Sequence, residues 1–169
     1  YNIDELFLDF PYSISLHEHN NLISFYVLPE DISVVNVMGG ITDNLNAVIG
    51  EGYSAQYNSS GWAGSLMNLD IASGYWLTIA ENEENTLYGN CAPDEDCTGD
   101  GHHLVDRDYS LSNIANLVSF PSYGSVGIPS AIENNIEDDI RAVIGESYIA
   151  VNTESGWVGS LQNFEGLKG

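Results

Sequence analysis

The sequence has very few basic residues. Only Arg107, Arg141 and Lys168 carry a fixed positive charge against 25 Asp and Glu, so the formal net charge is −22 at pH 7. Nucleic acid is therefore practically excluded as a partner, because nothing could neutralise its phosphates. Anionic membrane surfaces are disfavoured for the same reason. A surface this acidic suits high salt, divalent cations, or solubility through self-repulsion.

Long apolar runs are also missing. No stretch of about 18 apolar residues occurs, so we expect no transmembrane helix and no membrane insertion. A basic segment followed by an apolar one, typical of a signal peptide, is absent as well. Tyr1 is not an initiator Met, which indicates a mature or trimmed product, or one segment of a longer protein. Hydrophobic residues still make up 43% of the chain, which favours a folded protein over disorder.

Cysteine is scarce. Cys91 and Cys97 lie six residues apart in a segment rich in Asp, Pro and Gly, and this spacing predicts a small disulfide ring and an extracellular setting. Free thiols in a cytosolic loop are the alternative. Asp94, Asp96 and Asp100 in the same segment offer the oxygen ligands that Ca²⁺ prefers, although the spacing is not that of an EF-hand. A solvated acidic loop is the alternative here, and no other cofactor is predicted.

Three motifs occur twice, and the two copies always lie 95 residues apart. They are NL(I/V)SF at residues 21–25 and 116–120, VIGE at 48–51 and 143–146, and GWxGSL at 61–66 and 156–161. Chance does not place three motifs in one register, so the sequence predicts two tandem copies of one small module.

The second copy stops where the first continues. In the first copy Gly74 is followed by residues 75–80, an alternating apolar segment that predicts a strand, whereas the chain stops at Gly169. Tyr1, placed after Gly169, falls where Tyr75 falls after Gly74. We therefore expect the second module to be completed by the N-terminal strand of a neighbouring unit. The predicted assembly residues are Tyr1, Ile3, Leu6, Leu8, Phe10 and Gly169.

The predicted organisation has four parts: a donor segment at 1–16, module 1 at 17–81, an acidic insert at 82–106 and module 2 at 107–169. We expect an α+β, β-rich fold with a mainly antiparallel sheet. In module 1 the pattern predicts strands at 21–28, 48–51, 53–57, from Trp62 onward and at 75–80. A short helix should run from the N-cap Ser33 to Met38, and a helical turn should cover 43–45. In module 2, Ser130 is the expected N-cap, with Ile132, Ile136 and Ile140 at helical spacing.

The order NL(I/V)SF, VIGE, GWxGSL and GYWL resembles a repeat of large secreted or surface proteins of aquatic bacteria and of some phage structural proteins. The resemblance covers nearly the whole chain and implies an extracellular or particle-surface structural role. It brings no catalytic residue with it. One departure is that residues 1–3, Tyr-Asn-Ile, lack the Trp of the corresponding Tyr75-Trp76-Leu77.

Other candidate sites have simpler alternatives. The two imidazoles of His17 and His19 could hold a metal or act as a pH switch, although a surface turn explains them equally. Asn58 opens a glycosylation sequon in a predicted turn. Trp62 and Trp157 could stack on sugars, but their place in the repeated motif favours a role in the fold. No nucleophile beside a base and no phosphate loop is present, so we expect no enzyme.

The predicted function is a structural subunit of an extracellular fibre or surface array. It would assemble with copies of itself, head to tail by strand complementation, or form one period of a long repeat protein. The alternative is an extracellular module for glycan binding or calcium-dependent adhesion.

Overall fold

The computed structural model describes residues 8–91, 108–120, 124–132 and 136–168, with only the backbone of 8–11, 85 and 87–91. These residues form antiparallel sheets with a few short helical segments, which confirms the predicted β-rich α+β class. We call residues 8–91 the first half and the described residues from 108 onward the second half. The strands are β1 (Leu8–Leu16), β2 (His19–Ile23), β3 (Leu45–Ile49), β4 (Ser54–Asn58), β5 (Gly61–Gly64), β6 (Tyr75–Ile79), β7 (Glu83–Cys91), β8 (Ser125–Gly127), β9 (Ala142–Ile144), β10 (Ile149–Thr153), β11 (Gly156–Gly159) and β12 (Asn163–Glu165).

The first half is built on a five-stranded sheet in the order β2-β6-β3-β4-β5. The predicted strand at 75–80 is present as β6, and its alternating pattern buries Tyr75, Leu77 and Ile79 on one face. Leu77 lies opposite Val48 on β3, which is fully buried. Because β6 pairs with β2 on one side and β3 on the other, it closes the hydrophobic core of this half.

The strand predicted at 21–28 is shorter than expected, and it begins and ends earlier in the chain, because β2 spans His19–Ile23. The alternating apolar residues continue and are buried, Phe25 fully and Val27 at 6% exposure. Their backbone leaves the β6 ladder, however, since the N–H of Ser24 donates to the carbonyl of Leu167 in the second half at 3.3 Å. Burial pattern alone cannot distinguish a strand from an extended segment held by another part of the chain.

Helix α1 (Val34–Val37) begins where the sequence predicts. The hydroxyl of Ser33 accepts from the N–H of Asn36 at 3.3 Å, which confirms Ser33 as the N-cap. The helical turn predicted at 43–45 is wrong: a short 3-10 turn lies at Gly39–Ile41 instead, and Leu45 begins β3. Pairing with Ile79 buries Leu45, and this non-local contact outweighs the local preference.

Helix α2 (Ile128–Ala131) corrects the prediction for the second half. Gly127, not Ser130, precedes it as the N-cap, and Ser130 lies inside the helix. Pro129 stands in its first turn, where its fixed φ favours helix initiation. The helix then stops, because Ile132 is already extended, so the isoleucine spacing does not mark a continuous helix.

The second half contains a three-stranded sheet in the order β11-β10-β9, and its strand pairing matches that of β5-β4-β3. Tyr57 pairs with Trp62 and, 95 residues later, Asn152 pairs with Trp157. Gly64 and Gly159, which end the two hairpins, have φ of +144° and +146°. A Cβ at either position would approach a backbone carbonyl oxygen to 2.2 or 2.1 Å, so the second glycine of GWxGSL is required by close backbone approach.

Strands β1 and β7 form a separate antiparallel pair that runs from Leu8 opposite Cys91 to Leu16 opposite Glu83. The sequence places residues 83–91 in the acidic insert, whereas the structure makes them a strand. On β1, Tyr12, Ile14 and Leu16 are buried against the core of the first half, with the Tyr12 hydroxyl donating to the carbonyl of Val27 at 2.7 Å.

Candidate functional site

Two glutamates connect the halves reciprocally. The carboxylate of Glu146 accepts from the backbone N–H of Leu22 at 2.9 Å, and the carboxylate of Glu51 accepts from the N–H of Leu117 at 2.9 Å. Leu22 and Leu117 are the leucines of the two NL(I/V)SF motifs, and the glutamates end the two VIGE motifs. Each half therefore uses the last residue of its own VIGE to hold the NL(I/V)SF segment of the other.

Backbone contacts continue this reciprocal arrangement. Ile23 forms an antiparallel bridge with Lys168, and Val118, which is 95 residues after Ile23, forms one with Ser73. The N–H of Ser119 donates to Ala72 at 3.1 Å, as that of Ser24 does to Leu167. These contacts from the first half to the second therefore have equivalents from the second half to the first, as expected for an approximate twofold relation between the halves.

His17 adds an ion pair to one side of this contact. Its Nε2 bonds to the carboxylate of Glu146, and its Nδ1 lies 2.7 Å from the carbonyl oxygen of Glu18. The hydrogen bond with Glu146 raises the pKa of His17 above its ordinary value. His19 lies beside Glu18 at 3.9 Å, so the two imidazoles predicted as a metal pair have different partners. Among the residues with described side chains, no group of three or more His, Cys, Asp or Glu is arranged to hold a metal.

The β9 strand has a described partner along one edge only. Its counterpart β3 is paired on both sides, with β4 and with β6. Within the described residues β9 pairs only with β10, and the strand order of that sheet ends at β9. Among the described strands none pairs with the N–H and C=O groups along the other edge, which is where an added strand would bind.

Apolar side chains of the second half are exposed where those of the first are buried. Ile41 is 2% exposed but Ile136, its counterpart, is 38% exposed. Ile23 is 4% exposed but Val118 is 38% exposed. In the first half Ile23 pairs with Tyr75 of β6, and no described strand occupies the corresponding place beside Val118 in the second half.

The predicted assembly residues are only partly described. Tyr1, Ile3, Leu6 and Gly169 lie outside the described residues. Leu8 and Phe10 are on β1, opposite Cys91 and Gly89 of the same chain. The pairing uses one edge of β1. Lys168, the neighbour of Gly169, forms an ion pair with Glu165 at 2.7 Å that raises the pKa of the lysine.

The predicted disulfide and calcium ligands fall largely outside the described residues. Cys97, Asp94, Asp96 and Asp100 belong to this group, and Cys91 is described only as the last residue of β7. Asn58 ends β4 with an exposed side chain whose oxygen accepts from the N–H of Ser60 at 2.8 Å, in the predicted turn, at the tip of the β4–β5 hairpin.

The two tryptophans are half-buried and have different partners. Trp62 packs on Tyr57 with ring centroids 5.4 Å apart. Trp157 donates from its indole Nε1 to the carboxylate of Glu137 at 2.7 Å. Both contacts lie within a hairpin or against a neighbouring turn, so the rings stabilise their own half.

Sequence reasoning missed the roles of Glu51 and Glu146. Both carboxylates belong to a repeated motif, which was the available indication that they differ from the other acidic residues. The partner of each lies 66 or 124 positions away, and no local pattern shows it.

Comparisons of the chain with protein-family models, curated proteins and solved structures found no match in any of the three. In the part of the chain that the structure describes, no helix has the length and apolar character to cross a membrane.

Proposed function

We propose that the chain is a structural subunit of an extracellular fibre or surface array, built from two tandem modules and extended by strand complementation. The observation that carries this proposal is that β9 has no partner among the described strands along one edge, whereas the equivalent edge of β3 pairs with β6. The proposed acceptor site is this edge of β9, and the pairing of β6 with β3 is its template in the same molecule.

An open strand edge beside exposed apolar side chains favours capture of an extended segment. Val118 supplies exposed apolar surface, and β9 supplies the hydrogen-bonding groups. The donor is the N-terminal segment of another copy, with Tyr1 and Ile3 standing where Tyr75 and Leu77 stand in the first half. Main-chain hydrogen bonds give the affinity, and the alternating side chains set the register.

Strand donation from one copy to the next is a heterologous contact, and it produces a filament when the rotation does not close. Each added subunit carries a net charge of −22. Neighbouring subunits repel each other unless salt or divalent cations screen this charge. Assembly should therefore require moderate to high ionic strength.

The direct test is electron microscopy of the purified chain over a range of protein and salt concentrations. Filaments are expected with the intact chain, and deletion of residues 1–10 should leave dispersed particles. Val35→Asp, at an exposed position on α1, is the matched surface control and should still assemble. Normal filaments from the deleted chain would rule out donation by this segment. Calcium titration and a glycan panel on the same material separate this function from an adhesion module.

A further inference from the structure

We infer that residues 1–5 also complete the second half of their own chain, so that the monomer is a closed form and the head-to-tail filament is its strand-exchanged form. The inference rests on the proposed acceptor site at β9 and identifies a second source for the strand that fills it. It follows from the way the two halves face each other.

Ile23 and Val118 occupy corresponding positions but differ in the strands beside them. Ile23 has Tyr75 of β6 on one side and Lys168 on the other. Val118 has Ser73 on one side, which corresponds to Lys168. The place that corresponds to Tyr75 has no described strand, and it is the place of Tyr1 in the sequence alignment of the two halves.

The β1·β7 pair relates β6 to the N-terminal segment. Strand β7 follows β6, and β1 follows residues 1–7, so the segment after β6 pairs with the segment after the sequence counterpart of β6. Leu16 and Glu83 end the pair near β6, whereas Leu8 and Cys91 form its other end. A rotation that places each half on the other, and therefore β7 on β1, also places β6 on residues 1–5. The same rotation relates the reciprocal contacts of Glu51 and Glu146.

The pairing of β6 gives the expected register. Trp76 lies between Leu22 on β2 and Ile49 on β3, so Asn2 should lie between Leu117 and Ile144. Tyr1 and Ile3 then occupy the two buried positions of Tyr75 and Leu77. Glu5 replaces the buried Ile79, so this strand is held less firmly than β6 and exchanges more readily.

A closed monomer and an exchanged filament share the same contacts at the β9 edge, as in domain swapping. Their balance depends on concentration, because the strand of the same chain competes with strands of other copies. Dilute protein should be closed, and concentrated protein at high salt should be exchanged.

The test uses two cysteines placed at the expected contact, Asn2→Cys with Ile144→Cys, in a chain that also carries Cys91→Ser and Cys97→Ser. The matched control is Trp76→Cys with Ile49→Cys in the same background, where the structure shows the corresponding pair. Both are oxidised at low protein concentration, separated by size and compared on non-reducing gels. We expect both variants to form a bond within one chain.

If the monomer of the Asn2→Cys, Ile144→Cys variant keeps free thiols while the Trp76→Cys, Ile49→Cys control forms its disulfide, the inference is overturned. Bonds only between chains would also overturn it, but would leave the proposed fibre intact. Bonds within the chain with no filament at any concentration would support closure and remove the fibre. Amide exchange of the dilute chain without added cysteines gives a second measurement: Ile3→Asp should speed exchange in residues 142–144 about tenfold or more, and unchanged exchange would contradict closure.

Discussion

The carboxylate of Glu146 accepts a hydrogen bond at 2.9 Å from the backbone N–H of Leu22, which lies 124 residues earlier in the chain. Glu51 repeats this contact in the opposite direction with Leu117. A backbone N–H at a junction between halves needs an acceptor, and a carboxylate supplies a strong, charge-assisted one. The repeated glutamates therefore connect the two halves, which explains why they are shared when most of the other acidic residues are not.

Removal of these two carboxylates should lower the free energy of unfolding by different amounts. Glu146→Ala should lower the free energy of unfolding by about 1–2 kcal/mol, because the partly buried N–H of Leu22 loses its acceptor. Glu51→Ala should cost less, since the N–H of Leu117 is exposed to water. Urea unfolding measures both values, and Glu154→Ala, on the exposed tip of the second hairpin, serves as the control. Equal losses for all three variants would contradict a specific role in joining the halves.

Stability should depend on the protonation of His17. The hydrogen bond with Glu146 raises the folded-state pKa of His17 above the value of the unfolded chain, which is about 6.5. Its stabilising contribution is therefore complete below that value and is lost as the pH rises through the raised one. The difference in unfolding free energy between the native chain and His17→Ala should shrink from pH 6 to pH 8, as measured by urea unfolding.

The same ion pair can be checked directly by NMR titration. Glu146→Gln should lower the pKa of His17 toward its ordinary value, because it removes the charge that stabilises the imidazolium. Glu51→Gln changes the equivalent residue of the other half, which has no contact with His17 in the described residues, and should leave this pKa in place. A His17 pKa that does not respond to Glu146→Gln would show that the ion pair is absent in solution.

The second glycine of each GWxGSL motif should not tolerate a side chain. Gly64→Ala and Gly159→Ala should each cost about 2 kcal/mol or more, because both positions have positive φ and the new Cβ would collide with the carbonyl of Ser54 or Ile149. Gly39→Ala is the control, since a Cβ added at Gly39 would meet nothing within 4 Å. Thermal unfolding of the three variants gives the comparison, and a neutral Gly159→Ala would contradict the hairpin geometry.

Asn58 should accept a glycan in a host that glycosylates secreted proteins. Its side chain is exposed at the end of β4, and only a local hydrogen bond to the N–H of Ser60 has to be broken. Intact mass measurement should show one added glycan. Asn58→Gln should abolish it, and Ser60→Ala should do the same while leaving the asparagine in place. Modification that persists in Ser60→Ala would place the glycan elsewhere.

Local sequence was sufficient for several elements. Alternating apolar residues predicted β6, the hydroxyl of Ser33 predicted the start of α1, and the turn before Gly61 predicted the first hairpin. Each depends on residues that are neighbours in the chain. The β-rich class followed from the same short-range patterns.

Non-local contacts decided the rest. Burial against Ile79 turned Leu45 into a strand residue, and Leu167 of the second half drew Ser24 out of the β2 ladder. The sequence by itself determined that equivalent motifs recur at a spacing of 95 residues. Only the tertiary structure decided that Glu146 and Leu22 meet, and that Glu51 and Leu117 meet in the opposite direction, because these contacts depend on how the halves pack and not on residues adjacent in the chain.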